Sequence, residues 1–165
     1  MLDSRMTDSP ISDLIEAVGK NASRATVEAL CEAALEAQFG LRMTNVPRRA
    51  IPNEPFTTEA GDHLRMATES IPDGRTLLKA FADPELSGAN FPEFAINARI
   101  DGREMFEMLL KCENLDGVML CSAVTFGASV IGLRTIRELL ELTPGQLVDR
   151  AAARKSAATP GAATR

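Results

Sequence analysis

PDGRTLLKAFADP, residues 72–84, contains the pattern that decides the fold. Proline presets φ at one central position of a turn and Gly74 tolerates positive φ, so Pro72–Arg75 predicts a tight turn. The next seven residues, Thr76–Ala82, are largely apolar and end at Asp83-Pro84, which predicts a short buried strand. Because the turn immediately precedes this strand, we expect a hairpin with the segment on its N-terminal side.

Two helices are predicted upstream of the hairpin, because apolar residues recur there at i, i+3, i+4 and i+7. The spacing of the second helix continues through Gln38. The expected caps are Ser9 and Ser23, and the expected ends are Gly19 and Gly40. We expect the two helices to form an antiparallel hairpin over residues 1–40.

The rest of the chain combines short strands with helices. Prolines interrupt residues 41–69, so an irregular connection is expected there. The expected elements are short strands near Leu41–Val46 and Leu64–Ser70, a strand over Phe94–Ile100, a helix over Arg103–Cys112 capped by Asp101, a strand over Val118–Cys121, a loop over Ser122–Ser129, and a helix over Ile131–Leu142 that restarts at Thr143-Pro144. This order predicts one α/β or α+β domain over residues 1–155, with a small mixed sheet and flanking helices, followed by a disordered tail over residues 156–165.

The composition sets aside several classes of partner. The chain has 165 residues, and 23 acidic side chains outnumber 18 basic ones, for a net charge of -5. Nucleic acids and anionic lipids are bound mainly through cationic side chains, so we expect neither as a partner. The uncharged run Gly117–Leu133 is 17 residues long and contains serine, threonine and glycine. We interpret it as part of a soluble core, because a bilayer span needs about 20 predominantly apolar residues.

The cysteines bear on location and on metal binding. The chain has three cysteines, an odd number, and they are far apart in sequence: Cys31, Cys112 and Cys121. This favours a compartment in which thiols stay reduced. The N-terminal sequence MLDSRMTDSP has no secretory pattern. We therefore expect a cytoplasmic protein. The cysteine spacing matches no zinc-ligand pattern, so neither a metal nor another cofactor is expected.

Two segments carry a family resemblance: Gly74–Glu85, and Asn114–Val118 with Ser122-Ala123 after the second strand. They make the region from Asp73 to Leu140 similar to the N-terminal domain of the enhanced-serine-sensitivity (SseB-like) family. The chain departs from that family at Cys121-Ser122, where an asparagine-proline or asparagine-serine element is usual. The resemblance implies a bacterial α/β domain without an established reaction, sometimes found near secretion or regulatory loci, and it implies no catalytic residue.

The residues themselves also give no catalytic assignment. His63 is the only histidine, so a Ser–His–Asp or Cys–His relay would have to use it, and a structural role is the preferred interpretation. Asp83 and Glu85 could perform acid–base chemistry if a cleft formed around their loop. The acids at positions 101, 104 and 107 are explained by the dipole of the helix that begins there.

A glycine-containing segment, Gly127–Arg134, follows an expected strand and opens an expected helix. Its G-x-x-x-x-G spacing is that of a P-loop, but Leu133-Arg134 occupies the positions where a P-loop requires Lys and Ser or Thr. Backbone amides at a helix start can nevertheless bind a small anion. The candidate ligand-binding residues are Gly127, Ser129, Gly132 and Arg134.

Phenylalanines in loops mark a partner surface when they are exposed. The candidates are Phe56, Phe91 and Phe94. Together with the family resemblance and the missing catalytic pattern, they favour a non-enzymatic interaction or regulatory module, linked to secretion or stress regulation. Its partner is an unidentified protein, and a homodimer is left open. The alternatives are a small-anion or amino-acid sensor that binds at Gly127–Leu133 and, behind it, an enzyme that uses Asp83 or Glu85.

Overall fold

The computed structural model of the chain describes residues 10–44, 47–49, 59–61, 65–84, 98–122, 127–142 and 144–157. These residues form five helices and eight strands. The helices are α1 (Pro10–Lys20), α2 (Arg24–Glu36), α3 (Gly102–Lys111), α4 (Leu133–Leu140) and α5 (Pro144–Ala157). The strands are β1 (Gln38–Leu41), β2 (Met43–Thr44), β3 (Arg65–Met66), β4 (Thr68–Ser70), β5 (Thr76–Ala82), β6 (Ala98–Asp101), β7 (Gly117–Ser122) and β8 (Ala128–Gly132).

Six of the described strands form one mixed sheet in the order β6-β1-β5-β7-β8, with β4 paired to the first half of β5. β5 and β7 are parallel, in a register that runs from Leu77↔Gly117 to Ala82↔Ser122. The other pairs of this sheet are antiparallel, and β2 and β3 form a separate two-stranded sheet. The fold is therefore α/β with a small mixed sheet and flanking helices, as the sequence predicts.

One face of the sheet shares a hydrophobic core with helices α1–α4. Alternate residues of β5 point to it, because successive side chains of a strand face opposite ways. The core contains Leu78, Ala80 and Ala82 of β5, Val118 and Leu120 of β7, Ile131 of β8, and the fully buried Ile15, Leu30, Phe39, Met105, Phe106, Leu109 and Ile136. Leu77 and Phe81, on the opposite face, are also buried. Burial on both faces explains why β5 has a nearly continuous apolar sequence.

The central hairpin forms as predicted. The Gly74 N–H donates to the Ile71 carbonyl at 3.0 Å, and Gly74 has φ of +92°. The turn joins β4 to β5, and β5 has the predicted bounds. Ser23 is confirmed as the cap of α2: its hydroxyl accepts from the Thr26 N–H, and the Thr26 side chain accepts from the Ser23 N–H.

The prediction for the end of the second helix is wrong. α2 ends at Glu36, and Gln38 begins β1 instead of continuing the helix. Phe39 is fully buried and lies between Ile100 of β6 and Ala82 of β5. Ladder hydrogen bonds on both sides of β1 outweigh the local helical spacing, which tertiary context commonly overrides.

The predictions for residues 128–129 and for the start of the next helix are also wrong. Residues 128–132 form strand β8, and α4 begins only at Leu133. Residues 123–126 of the expected loop lie outside the described residues. Residues 128–132 pair antiparallel with β7, and burial alternates along β8, with Ser129 and Ile131 inside. This alternation has the period of a strand, and it places Ile131 opposite Val118 in the core.

Other predictions agree in part. Asp101 is the residue before α3, but its side chain makes no capping hydrogen bond. α5 continues to Ala157, two residues into the segment expected to be disordered. The predicted cap residues Ser9 and Thr143 lie outside the described residues, as do residues 94–97 of the strand expected over Phe94–Ile100 and residues 158–165 of the tail.

Candidate functional site

A buried polar cluster lies where the parallel strands end. Asp83 follows the last residue of β5, and Ser122 is the last residue of β7. The Ser12 hydroxyl, on α1, donates to Asp83 Oδ2 at 2.7 Å and accepts from the Ser122 hydroxyl at 2.8 Å. Ligands of α/β proteins commonly bind at the carboxyl ends of the parallel strands, so this cluster occupies a position where a binding or catalytic site would be expected.

The geometry of the cluster favours a structural role. Ser12 is 0% exposed and Ser122 is 1% exposed, so both hydroxyls are enclosed by protein. Asp83 has φ of 56°, a left-handed conformation that aspartate tolerates better than most residues. The cluster links α1 to both parallel strands. Glu85, the second residue of the enzyme alternative, lies outside the described part of the chain.

Sequence reasoning missed Ser12 and Ser122. A signal was present at Ser12, because it is a polar residue directly beside Ile11 on the inward face of α1, and all three of Ile11, Ser12 and Ile15 are buried. A buried hydroxyl needs a partner. The sequence does not say which one, because Asp83 lies 71 residues away.

The four predicted ligand-binding residues do not converge. The Ser129 hydroxyl points inward and donates to the Ile15 carbonyl at 3.4 Å. Arg134 points to solvent, with 93% of its side chain exposed, and pairs with Glu138 at 3.4 Å. Gly127 precedes β8, and Gly132 is the residue before α4. Anion or amino-acid binding at Gly127–Leu133 stays a prediction from sequence, without support from this geometry.

The remaining sequence candidates fall outside the described residues. This applies to the three partner-surface phenylalanines, Phe56, Phe91 and Phe94, and to His63. In the part of the chain that the structure describes, no three His, Cys, Asp or Glu side chains are grouped so that they could hold a metal ion.

Among the described strands, β8 pairs only with β7, so its outer edge carries backbone N–H and C=O groups that no described strand pairs. Two bonds fix its orientation: the Ser122 N–H donates to the Gly127 carbonyl at 2.9 Å, and the Leu133 N–H donates to the Asp116 carbonyl at 3.3 Å. Residues of an antiparallel strand alternate between facing the partner strand and facing away from it. Ser129 and Ile131 therefore direct their N–H and C=O groups toward β7. The outward-facing residues are Ala128, Val130 and Gly132.

The sequence of β8 carries neither of the side-chain types that commonly protect an edge strand from pairing. Natural edge strands are commonly blocked by charged side chains or proline. The opposite edge, β6, contains Arg99 and Asp101, whereas β8 contains neither charge nor proline. Val130 is 40% exposed, and Val148 is the other large hydrophobic side chain described as exposed. The outer edge of β8, defined by Ala128, Val130 and Gly132, is hereafter the β8 edge.

A second surface feature lies between α2, α4 and α5. A groove of about 620 Å³ is lined by Arg24, Val27, Glu28, Cys31, Thr135, Glu138, Leu139 and Arg150. Beside it, two acids of α2 face two arginines of α5. Arg150 Nη2 lies 2.8 Å from Glu28 Oε1, and Arg154 Nη1 lies 2.9 Å from Glu32 Oε1. These contacts fasten α5 to α2, since Arg150, Arg154 and Leu147 occupy one side of α5.

The groove does not present a free charge to a ligand. Glu28 also accepts from Arg24 Nε at 2.9 Å, so its carboxylate has cations on two sides. The hydrogen bond from Arg24 holds the pKa of Glu28 below its ordinary value, and Arg150 adds to this effect against the opposing effect of burial. The arginines and acids of this groove neutralise one another.

The two buried thiols, Cys31 and Cys121, are poorly suited to chemistry. Burial raises the pKa of Cys31 to about 12 and that of Cys121 to about 11. A reactive cysteine requires the thiolate, so both residues behave as apolar core side chains. Cys31, Cys112 and Cys121 are all free.

Comparison with known proteins returned no match to any family model, curated protein or solved structure. Among the helices described, none combines the length and the apolar character needed to cross a bilayer.

Proposed function

We propose that the chain is a non-enzymatic protein-interaction module that binds an extended segment of a partner protein along the β8 edge. The observation that carries the proposal is the orientation of β8, which directs three N–H groups and the carbonyls of Ala128 and Val130 away from the sheet on an uncharged strand. An added strand supplies partners for such groups, and its alternate side chains give specificity.

The regulatory role and the cytoplasmic location belong to the same proposal. The resemblance to the SseB-like family supports a role linked to secretion or stress regulation. Three free cysteines, two of them buried, are compatible with a reducing compartment. The absence of a catalytic role is supported by the Ser12–Asp83–Ser122 cluster, whose hydroxyls are enclosed and bonded to one another.

The test compares two matched lysine variants. Val130→Lys introduces a charge at the centre of the β8 edge, whereas Val148→Lys introduces the same charge at the exposed valine of α5. Tagged wild-type chain and both variants are used to capture proteins, including untagged copies of the chain, from cells that express it, and the captured proteins are quantified by mass spectrometry.

We expect at least one protein to be retained by the wild type and by Val148→Lys and lost with Val130→Lys. A charge on an edge strand opposes strand addition without removing a bond to β7, so folding is expected to be preserved. Circular dichroism checks that preservation. If Val130→Lys retains every protein that the wild type captures, the β8 edge is not the binding surface.

A further inference from the structure

We propose, as a deepening of the function proposed above and resting on it, that the partner at the β8 edge is a second copy of this chain. Two β8 strands pair antiparallel about a two-fold axis at Val130, which joins the two sheets into one. In this dimer β8 of each copy is both the strand that is bound and the strand that binds.

The outward-facing residues allow a two-fold pairing centred on Val130. The outward-facing residues are evenly spaced, with Ala128 on one side of Val130 and Gly132 on the other. In a two-fold antiparallel pair, Val130 faces the partner's Val130, and Ala128 faces the partner's Gly132. Val130 of each copy is then in a hydrogen-bonded pair, and the Gly132 N–H of each copy faces the partner's Ala128 carbonyl. The Gly132 carbonyl belongs to the first turn of α4 and takes no part in the pairing.

The charge distribution permits this pairing. A two-fold interface places one surface patch against itself, so a charge on the axis would meet a charge of the same sign. β8 lies within the uncharged run Gly117–Leu133, and the first charged residue after the strand is Arg134. The chain has a net charge of -5, yet none of this charge lies on the strand that would form the interface.

The pairing also covers exposed apolar surface. Val130 is opposite Met119 of β7, on the sheet face away from the helical core, and Met119 is half-buried. Two valines that face each other across the axis remove from water the large hydrophobic side chain that the described part of the sheet exposes. Pairs of β-branched residues on neighbouring strands stabilise a sheet.

Molar mass in solution tests the inference directly. We expect the wild-type chain to have twice the 17.7 kDa chain mass by multi-angle light scattering, with a dissociation constant that Val148→Lys leaves unchanged. Val130→Lys is expected to raise the dissociation constant at least about tenfold, because two ammonium groups meet on the axis. Val130→Thr, which keeps the β-branched shape, is expected to remain dimeric.

Disulfide trapping tests the register. Hydrogen-bonded antiparallel pairs have Cα atoms about 5.5 Å apart, which suits a disulfide. In a Cys112→Ser background, Val130→Cys is expected to form a covalent dimer under mild oxidation, whereas Val148→Cys remains a monomer in denaturing electrophoresis. A third readout needs no substitution: the amides of Ala128, Val130 and Gly132 exchange hydrogen more slowly as the chain concentration rises.

The outcomes separate this inference from the proposed function. A wild-type chain that stays monomeric up to about 1 mM, or a dimer that Val130→Lys leaves intact, overturns the second-copy partner. If a different protein is then still lost specifically with Val130→Lys, the interaction function stands with another partner. If no captured protein depends on Val130, both are overturned.

Discussion

Ser122 donates its hydroxyl hydrogen to Ser12 at 2.8 Å, although the two serines are 110 residues apart in sequence. Ser12 in turn donates to Asp83 at 2.7 Å, so one hydroxyl on α1 is bonded to the ends of both parallel strands. This chain of bonds determines how α1 lies across β7 and β8. It also turns buried polar groups, which would be unfavourable alone, into a specific link between helix and sheet.

Ser12→Ala tests the strength of this link. The substitution removes the hydrogen bond from Ser122 to Ser12 and the one from Ser12 to Asp83, so we expect a loss of about 1–3 kcal/mol in the free energy of unfolding. Urea titration measures it. Ser70→Ala, at an exposed serine of β4, is the control and should change the free energy by less than about 0.5 kcal/mol. A Ser12→Ala protein as stable as the control would show that the cluster contributes nothing.

Two glycine-to-alanine substitutions should have opposite effects. A Cβ on Gly102 would overlap the Ala34 carbonyl oxygen of α2, so Gly102→Ala must separate α3 from α2 and should cost about 1–3 kcal/mol. A Cβ on Gly19 meets nothing within 4 Å, and Gly19 lies in α1. Gly19→Ala should therefore stabilise the protein by up to about 1 kcal/mol, because alanine favours the helix. Thermal unfolding measures whether each variant is more or less stable than the wild type. Equal changes in stability for the two variants would contradict the close contact between Gly102 and Ala34.

The hairpin could be predicted from sequence because its signals are local. Pro72 and Gly74 determine the turn, and Thr76–Ala82 is short, apolar and bounded, so no distant residue is needed to place β5. Val130 and Gln38 could not be placed in this way. Gln38 lies in a stretch whose spacing also suits a helix, and Val130 lies between an expected loop and an expected helix. The outcome depends on pairing with β5 and β6 for Gln38 and with β7 for Val130.

The candidate site shows the same limit. The uncharged run Gly117–Leu133 is visible in the sequence. Whether a strand lies at the edge of a sheet, however, depends on the order of all the strands, and the sequence of one strand does not determine that order. The outward direction of the Val130 N–H follows only once the bonds that flank β8 are known. The expected helix start at Ile131 rested on the apolar spacing that begins at Leu133, and this spacing suits a helix that begins at Leu133 equally well.

The contacts between α2 and α5 should make stability depend on pH. The pKa of Glu28 is lowered in the folded chain, chiefly by the hydrogen bond from Arg24, and its ordinary value is 4.5. Its stabilising contribution is therefore complete above 4.5 and is lost as the pH falls through the lower folded value. We expect Glu28→Gln to lower the free energy of unfolding by roughly 1 kcal/mol at neutral pH and by less in acid.

The matched control for this charge removal is Glu16→Gln. Glu16 forms an exposed pair with Lys20 on α1, with Oε1 and Nζ 3.0 Å apart, and exposed pairs of this kind contribute little. Urea titrations at several pH values between about 3 and 7 compare the two variants with the wild type. Equal loss for Glu28→Gln at neutral and acidic pH would show that its effect is not electrostatic.

The three free thiols should differ widely in reactivity. Because burial raises the pKa values of Cys31 and Cys121 from 9.0 to about 12 and about 11, their thiolate fractions fall about a thousandfold and a hundredfold. Cys112, at the end of α3, is only half-buried. We expect iodoacetamide at about pH 8 to modify Cys112 first, with Cys31 and Cys121 reacting only in denaturant. Peptide mass spectrometry resolves the three sites. Rapid modification of Cys31 in the native chain would mean that the groove between α2, α4 and α5 opens in solution. The contacts of the α5 arginines with Glu28 and Glu32 would then fasten α5 to α2 less firmly than their geometry indicates.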